Sequence, residues 1–477
     1  MKAGGDIPSI VKAFVRTFFA RLAQALAPKY YAILWIAALY LALAVIGTYG
    51  DALFAGDNAG HIAQIDDLFE TGMFRWYDAS HLGFPLFFFH QPIPHLVSSL
   101  FFTNLGPIAA YRTLVIMLFA AVPFSLFFSL RWMGFSENFS LSAALAPLLI
   151  SSFTGFGIEP AGVFGWGLYT QLWAIAVFPI SLALLWHAVD GRIAMWMAGL
   201  GLALLFLVHA MVGVMAVLTL AAIVLSRGLT KKRLIRSGGI VFLTLILLSF
   251  WLVPIIEHRD SYLGMTKSDE ELYSYGFPKV TWSLIKGDIL DYGRLFPALT
   301  IISAAGVILA WRGSKQKPLQ RFILLGLALG FVLFCGGKYL VSIPGFSFFE
   351  LHRFLFLFHF FLLLAFADAA AWMSKNKILI ILLFALLTSL FAQAVMETKI
   401  RQETINVLSP SPVTTMKEIG AILAPLPEGR VHLIDAPFEP SQALLHLYSG
   451  QPLLYGGLGS QDSLTTSSIK GKELDEL

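Results

Sequence analysis

The residues best suited to chemistry crowd into one stretch. Residues 51–95 read DALFAGDNAGHIAQIDDLFETGMFRWYDASHLGFPLFFFHQPIPH and hold Asp51, Asp57, Asp66, Asp67, Glu70 and Asp78 together with His61, His81, His90 and His95. Carboxylates and imidazoles move protons near neutral pH, and they also bind divalent ions. Asp57 and His61 lie four apart and share one helix face, which Ile65 and Leu68 continue as an apolar stripe. This spacing predicts an amphipathic helix lying on a bilayer. Asp57 follows Gly56 close behind an apolar run, at a membrane surface where a carboxylate feels a lower dielectric than in water. A competing reading is a solvated acidic loop in which Asp57 caps the helix. A third is a divalent metal ion held by Asp57, His61 and one further histidine. His81, His90 and His95 each read more simply as hydrogen-bonded packing residues. His90 sits in the aromatic run GFPLFFFHQPIPH, whose Pro85, Pro92 and Pro94 suit a rigid interfacial wall, and it is carried as a candidate substrate contact.

A second constellation is FSFFELHRFLFLFHFFLLLAFAD, residues 346–368, where Arg353 opens an apolar helix beside Glu350 and His352, with Lys338 shortly before it. A cation next to lipid is expensive unless it snorkels to the interface or holds an anion. A guanidinium offers paired donors to phosphate oxygens, so Arg353 is a candidate lipid-phosphate ligand with Lys338 in reserve. The alternative is an arginine that anchors a helix end. His209 in LFLVHAMVG reads first as a packing histidine and second as a substrate contact, and Glu257 opens a charged loop that is either a cover for a site or a solvated run. There is no P-loop, dinucleotide fingerprint, GxSxG, HExxH or DxD.

The elements that must hold these groups are set by composition. Of 477 residues, 57% are hydrophobic and 13% charged, against about 25% charged in an ordinary soluble domain. Forty-two Phe and 11 Trp cannot be hidden inside a water-soluble sphere of this size, so a soluble enzyme is excluded and an all-α polytopic membrane protein is expected. The net charge of +4 comes without an aromatic-interleaved basic stripe, which argues against a nucleic-acid partner. The single cysteine, Cys335, excludes an intramolecular disulfide.

Residues 1–30 form an arm in which Lys12, Arg16 and Arg21 interleave with apolar positions, either an amphipathic surface helix or an extension of the first span. Apolar runs follow near 31–50, 108–130, 139–153, 165–189, 194–226, 238–256, 295–311, 320–335, 353–373 and 377–395. The run at 194–226 is too long for one span and is expected to break into two short helices near His209 and Gly213. With that break, the N-terminal arm, Arg131, Arg192, the Arg227–Arg236 cluster, the Arg312–Arg321 loop and Lys375 with Lys377 all fall on the cytoplasmic side. About eleven spans result in a transmembrane domain over 31–395, with 93–106 a re-entrant or short extra helix and outer loops at 51–107 and 257–294. The tail 396–477, with its strand-like RVHLIDAP, is expected to be a small extracytoplasmic element, left incomplete or ending in disorder. The expected location is the cell inner membrane, with the N-terminus in the cytoplasm.

The order of short motifs resembles a known family. GDNAGHI and GFPLFFFHQPIPHL bracket the first outer loop, then come RWMGFS, FGWGLYTQLWAIAVFPISLAL, LFLVHAMVG, FWLVPIIEH and HRFLFL, across nearly the whole chain. This layout is similar to the bacterial and archaeal 6-pyruvoyl-tetrahydropterin synthase-related membrane proteins, which in turn resemble the GT-C superfamily of lipid-linked sugar transferases. Two positions depart from the family pattern: LHRF at Leu351–Phe354 stands where PWRF is usual, and Gln171 where relatives often carry an acid. Pterin chemistry is not implied, because nothing here reproduces the soluble synthase. The resemblance implies a GT-C-like helical bundle that transfers a sugar from a polyprenyl-phosphate donor to an acceptor on the extracytoplasmic face. Asp57 falls where the family's acid orients or deprotonates the acceptor hydroxyl, and His61 follows in the D-x-x-x-H pattern to position the acceptor or help hold a divalent ion. A leaving phosphate needs charge stabilisation rather than a second acid, so one base and one cation suffice. Two other classes compete: a lipid-glycan flippase, which would spread ionisable groups along a path through the membrane centre, and a non-catalytic assembly protein on the same scaffold.

Overall fold

The computed structural model describes residues 31–48, 57–71, 76–77, 84–85, 91–257, 274–343, 346, 349–408, 412–427, 445, 448–449 and 451. The N-terminal arm, His81, His90, residues 258–273 and the strand-like RVHLIDAP lie outside the described residues. Helices dominate: α1 Tyr31–Gly47, α2 Asn58–Thr71, α3 Pro92–Phe102, α4 Pro107–Met133, α5 Glu137–Leu145, α6 Pro160–Trp166 and α7 Tyr169–Val189 make the first half. The second half comprises α8 Met195–Val208, α9 Ala210–Arg227, α10 Lys231–Glu257, α11 Gly276–Lys286, α12 Ala298–Gly313, α13 Pro318–Cys335, α14 Gly337–Val341, α15 Leu355–Met373, α16 Lys377–Leu408 and α17 Pro412–Leu423. Among the described residues the strands are Trp76–Tyr77 and Phe84–Pro85, paired antiparallel.

Seven helices among the described residues are long and apolar enough to cross a membrane, and three shorter apolar ones accompany them. The chain is a multi-span helical membrane protein. The long run at 194–226 does break, at His209: its backbone is extended there (φ −164°, ψ 101°) and its ring accepts the Val212 N–H at 3.4 Å, capping α9. The expected boundary at 395/396 is crossed by α16, which continues to Leu408 without interruption.

α15 is the central post. Its residues from Leu355 to Ala367 are all buried, because it packs against α12, α13 and α5 together. A helix apolar on every face, as FLFHFFLLLAF is, has no polar side to give to water and is stable only when surrounded. α4 packs between α1 and α7, and α8 bridges α7 and α10. The outer faces of α10 and α16 are apolar and exposed, with Phe242, Ile246, Phe250, Ile381 and Phe384 all open, as lipid contact requires.

The helix after the first span differs from expectation. α2 packs against α3 and α4, and Asn58, His61 and Gln64 are buried along with Ala59, Ile62, Ala63 and Ile65. It is an internal helix rather than one lying flat on a bilayer, because its small residues allow close packing and Asn58 and His61 hydrogen-bond to Tyr111 and His95 on the neighbouring helices.

Candidate functional site

Three segments distant in sequence meet at one end of the bundle: the start of α2, the loop 150–168 with α6, and the 3-10 turn Leu351–Phe354 that opens α15. Asp57 stands one residue ahead of α2. Its backbone N–H donates to the Trp166 carbonyl at 3.1 Å, and its carbonyl accepts the His61 N–H at 3.0 Å, starting the helix. Trp166 ends α6, and Gly167 follows in a left-handed conformation (φ +75°). A side chain at Gly167 would sit 2.5 Å from the Asp57 and Asn58 nitrogens. Only glycine accepts that φ without strain and lets the loop come this close.

The same loop reaches the cation. The Trp166 ring stacks on Phe156 (centroids 5.4 Å, 22° between planes), and the Arg353 guanidinium lies 5.3 Å from the Phe156 centroid. Arg353 also pairs with Glu350, and the His352 ring meets Phe156 edge-on at 4.4 Å. Asp57, Trp166, Phe156 and Arg353 therefore form a continuous chain of contacts. Burial pushes the Asp57 carboxyl from its ordinary 3.8 up to about 6, with the Arg353 charge pulling it back down and Glu350 adding to the rise. A carboxyl poised there is a base at neutral pH that still holds a proton well.

Behind Asp57 lies a polar seam. His61 Nδ1 is 2.9 Å from His95 Nε2, and His95 Nδ1 is 3.4 Å from the Gln91 carbonyl. A carbonyl only accepts, so the hydrogen of His95 is assigned to Nδ1 and His61 donates from its own Nδ1. Tyr111 donates to Asn58 Oδ1, Ser98 and Tyr169 share a hydrogen bond of 2.7 Å, and the His61 and Tyr169 rings lie 5.4 Å apart. These contacts fix the orientation of α2 and thus of Asp57. Among the described residues no group of three or more His, Cys, Asp or Glu is gathered to hold a metal. His81 and His90, two of the three histidines weighed as a further ligand beside Asp57 and His61, lie outside the described residues, and His61 Nδ1 is engaged by His95.

A buried pair supports the loop from below. Glu159 Oε2 lies 3.2 Å from His359 Nδ1, both side chains fully buried. Burial by itself raises the Glu159 carboxyl, but His359 and the Ser152 hydroxyl outweigh it and the net direction is down. Gln171, the residue in the acid's usual place, donates to the Phe156 carbonyl at 3.0 Å and to that of Gly157. At this position the chain holds the loop's backbone rather than presenting a charge.

The other expected site residues sit on other elements. His209 is a buried helix cap on α9. Glu257 ends α10 with an exposed side chain, and the loop that follows lies outside the described residues. Lys338 falls in the short helix α14. Phe156, Trp166 and His359 contribute to the site without having been singled out for it by sequence, whereas His95, read there as a packing histidine, is the hydrogen-bond partner of His61. The signal for His359 was a lone imidazole within FLFHFFLLL, since a polar group in such a run needs an internal partner.

A basic cluster lies at the opposite end. Asp190, just past α7, pairs with Arg227 and Arg233, the latter at 2.9 Å, and the Arg227 guanidinium covers the Trp186 ring at 3.8 Å. α7 runs from Tyr169, beside the candidate site, to Val189, a rise of about 30 Å. Asp57 and this basic cluster are thus separated by about a membrane thickness.

Among curated proteins none matches this chain. Among solved structures it is similar to the archaeal oligosaccharyltransferase AglB from Archaeoglobus fulgidus in complex with an inhibitory peptide and a dolichol-phosphate, at 10% identity and TM-score 0.50, over 91% of this chain and 65% of that one. It is similar also to the A. fulgidus oligosaccharyltransferase with Zn and sulfate (12% identity, TM-score 0.53, 90% and 62% covered) and in its apo form (10%, 0.54, 91% and 66%). The chain spans less than two thirds of the length of the oligosaccharyltransferases. At such identities the likeness is one of fold, and the fold is GT-C-like. The model of the 6-pyruvoyl-tetrahydropterin synthase related domain, a membrane-protein family, matches residues 87–400, and with well over half its length so matched, the chain belongs to that family.

Proposed function

We propose that this chain is an integral membrane glycosyltransferase that takes a sugar from a polyprenyl-phosphate donor at the extracytoplasmic face. The observation that carries the reading is the approach of a half-buried carboxyl, Asp57, to a guanidinium, Arg353, at the end of the bundle remote from the Asp190–Arg227–Arg233 cluster. The dolichol-phosphate in the AglB structure supports a polyprenyl phosphate as the lipid partner. In the proposed step, Asp57 takes the proton of the acceptor hydroxyl, whose oxygen bonds to the sugar's anomeric carbon. The bond from that carbon to the phosphate oxygen breaks, and its electron pair stays on the departing polyprenyl phosphate. Arg353 holds the developing negative charge. Glu350 tempers the guanidinium and keeps it aimed across the Phe156 ring. His61 acts through its bond to His95 to hold the helix that presents Asp57.

Replacing Asp57 by Asn in cells that carry the variant as the sole copy tests the reading. Loss of one sugar from the envelope glycans is expected, and unchanged glycan composition with normal protein level favours the assembly-protein alternative.

A further inference from the structure

Glu159 occupies the N-cap position of α6 (φ −72°, ψ 148°), yet its side chain makes no capping bond. An acid at this position would ordinarily accept an N–H of the first turn. It turns inward instead, to His359 and to the Ser152 hydroxyl. His359 in turn places Nε2 2.9 Å from the Ile289 carbonyl. That carbonyl can only accept, so Nε2 carries a hydrogen. Nδ1, which also lies 3.4 Å from the Ile158 N–H, then faces a carboxyl oxygen, and two lone pairs at that distance would repel. One proton therefore sits between Nδ1 and Oε2, and whichever atom bears it the pair is neutral overall. Neutrality is what a site with no solvent access demands.

Three elements are tied at this point. The loop 150–168 supplies Glu159, the stretch 287–297 supplies Ile289 and bonds to the same loop through Ser151 to Leu290 and Phe153 to Asp288, and α15 supplies His359. The loop approaches so closely that a side chain at Gly157 would overlap the His359 ring. Three residues before Glu159 is Phe156, beneath the Arg353 guanidinium. Immediately after it, α6 leads to Trp166 and Gly167 against Asp57. His359 follows Arg353 by six residues in the same continuous helical stretch.

We infer that Glu159 and His359 are positioning residues whose shared proton clamps the 150–168 loop to α15 and so sets the separation between Asp57 and Arg353. This rests on the reading of Arg353 as the holder of a lipid phosphate, and it assigns a task to two groups that touch neither reactant.

The test compares binding of decaprenyl phosphate and of decaprenol to the full chain in detergent, alongside hydrogen exchange at the Asp57 amide. Glu159→Met removes the polar end at nearly constant length. The expected result is a loss of about tenfold in the preference for phosphate over alcohol, with faster exchange at Asp57. Adding Glu159→Met to Arg353→Gln should cause no further loss, since both act through one group. Glu159→Gln, whose amide can donate to Nδ1, should retain the wild-type preference within about twofold. Where Glu159→Met does not fold, Glu159→Met with His359→Phe, an apolar pair, is read in the same way. A folded variant with lower melting temperature but wild-type preference and wild-type exchange at Asp57 overturns the inference and leaves a structural pair. Absence of any phosphate preference in the wild type contradicts the proposed function, while the Asp57 exchange still decides whether the pair positions that residue.

Discussion

The amide of Asp57 donates to the carbonyl of Trp166 at 3.1 Å, across 109 positions of sequence. This bond makes the end of α6 part of the scaffold of the proposed base. The Trp166 ring, stacked on Phe156, carries the connection on to Arg353, so the geometry of base and cation depends on one loop.

Activity should depend on the protonation of Asp57. Burial holds its carboxyl at about 6, and a base acts only when deprotonated, so turnover should rise with pH through about 6 and then level off. Arg353 opposes this rise, so Arg353→Gln should move the midpoint upward. A rate profile from pH 4.5 to 8 checks both directions.

The same group makes a stability prediction. Its folded value lies above its ordinary 3.8, so the unfolded chain loses this proton first as pH increases. The contribution of Asp57 to stability is fully present below about 4 and is lost as pH climbs to about 6. Asp57→Asn removes that dependence, so the variant should gain in melting temperature relative to wild type at pH 7.5 and lose the advantage at pH 4.

Gly167→Ala should be severe for its size. The new methyl meets the Asp57 and Asn58 backbone at 2.5 Å with φ at +75°, and the strain is about 1–3 kcal/mol. Thermal unfolding measures that loss, and turnover should fall further than stability explains because the base is displaced.

At the opposite end, Asp190→Ala strands Arg227 and Arg233 beside each other. Breaking this partly buried network should destabilise by about 1–3 kcal/mol. The intrinsic rate at saturating donor should stay near wild type, since about 30 Å of α7 separates the cluster from Asp57.

Much of this was legible in the sequence because the signals are local. Hydropathy located the seven long and three shorter apolar helices, and His209 with Gly213 marked the break between α8 and α9. The apolar run at 139–153, counted among about eleven spans, instead forms only the nine-residue helix α5 and a short 3-10 turn. Asp57 and Arg353 stood out because a charge beside an apolar run is conspicuous. The burial of α2 was not legible: its acids suggested a surface helix, whereas its small residues and Asn58, His61 and Gln64 are enclosed by α3 and α4. Nor was the partnership of Glu159 with His359, 200 positions apart, or the role of Phe156 between Arg353 and Trp166. Periodicity reports which face of a helix is apolar, but not which distant loop covers it.

The most direct measurement follows release of polyprenyl phosphate by phosphorus NMR from a polyprenyl-phosphate sugar supplied with membrane acceptor extract to the protein in proteoliposomes. Release by the wild type, with loss of at least about a hundredfold in Asp57→Asn at unchanged lipid binding, is the expected result. Release by Asp57→Asn at the wild-type rate would contradict the assignment of Asp57 as the base.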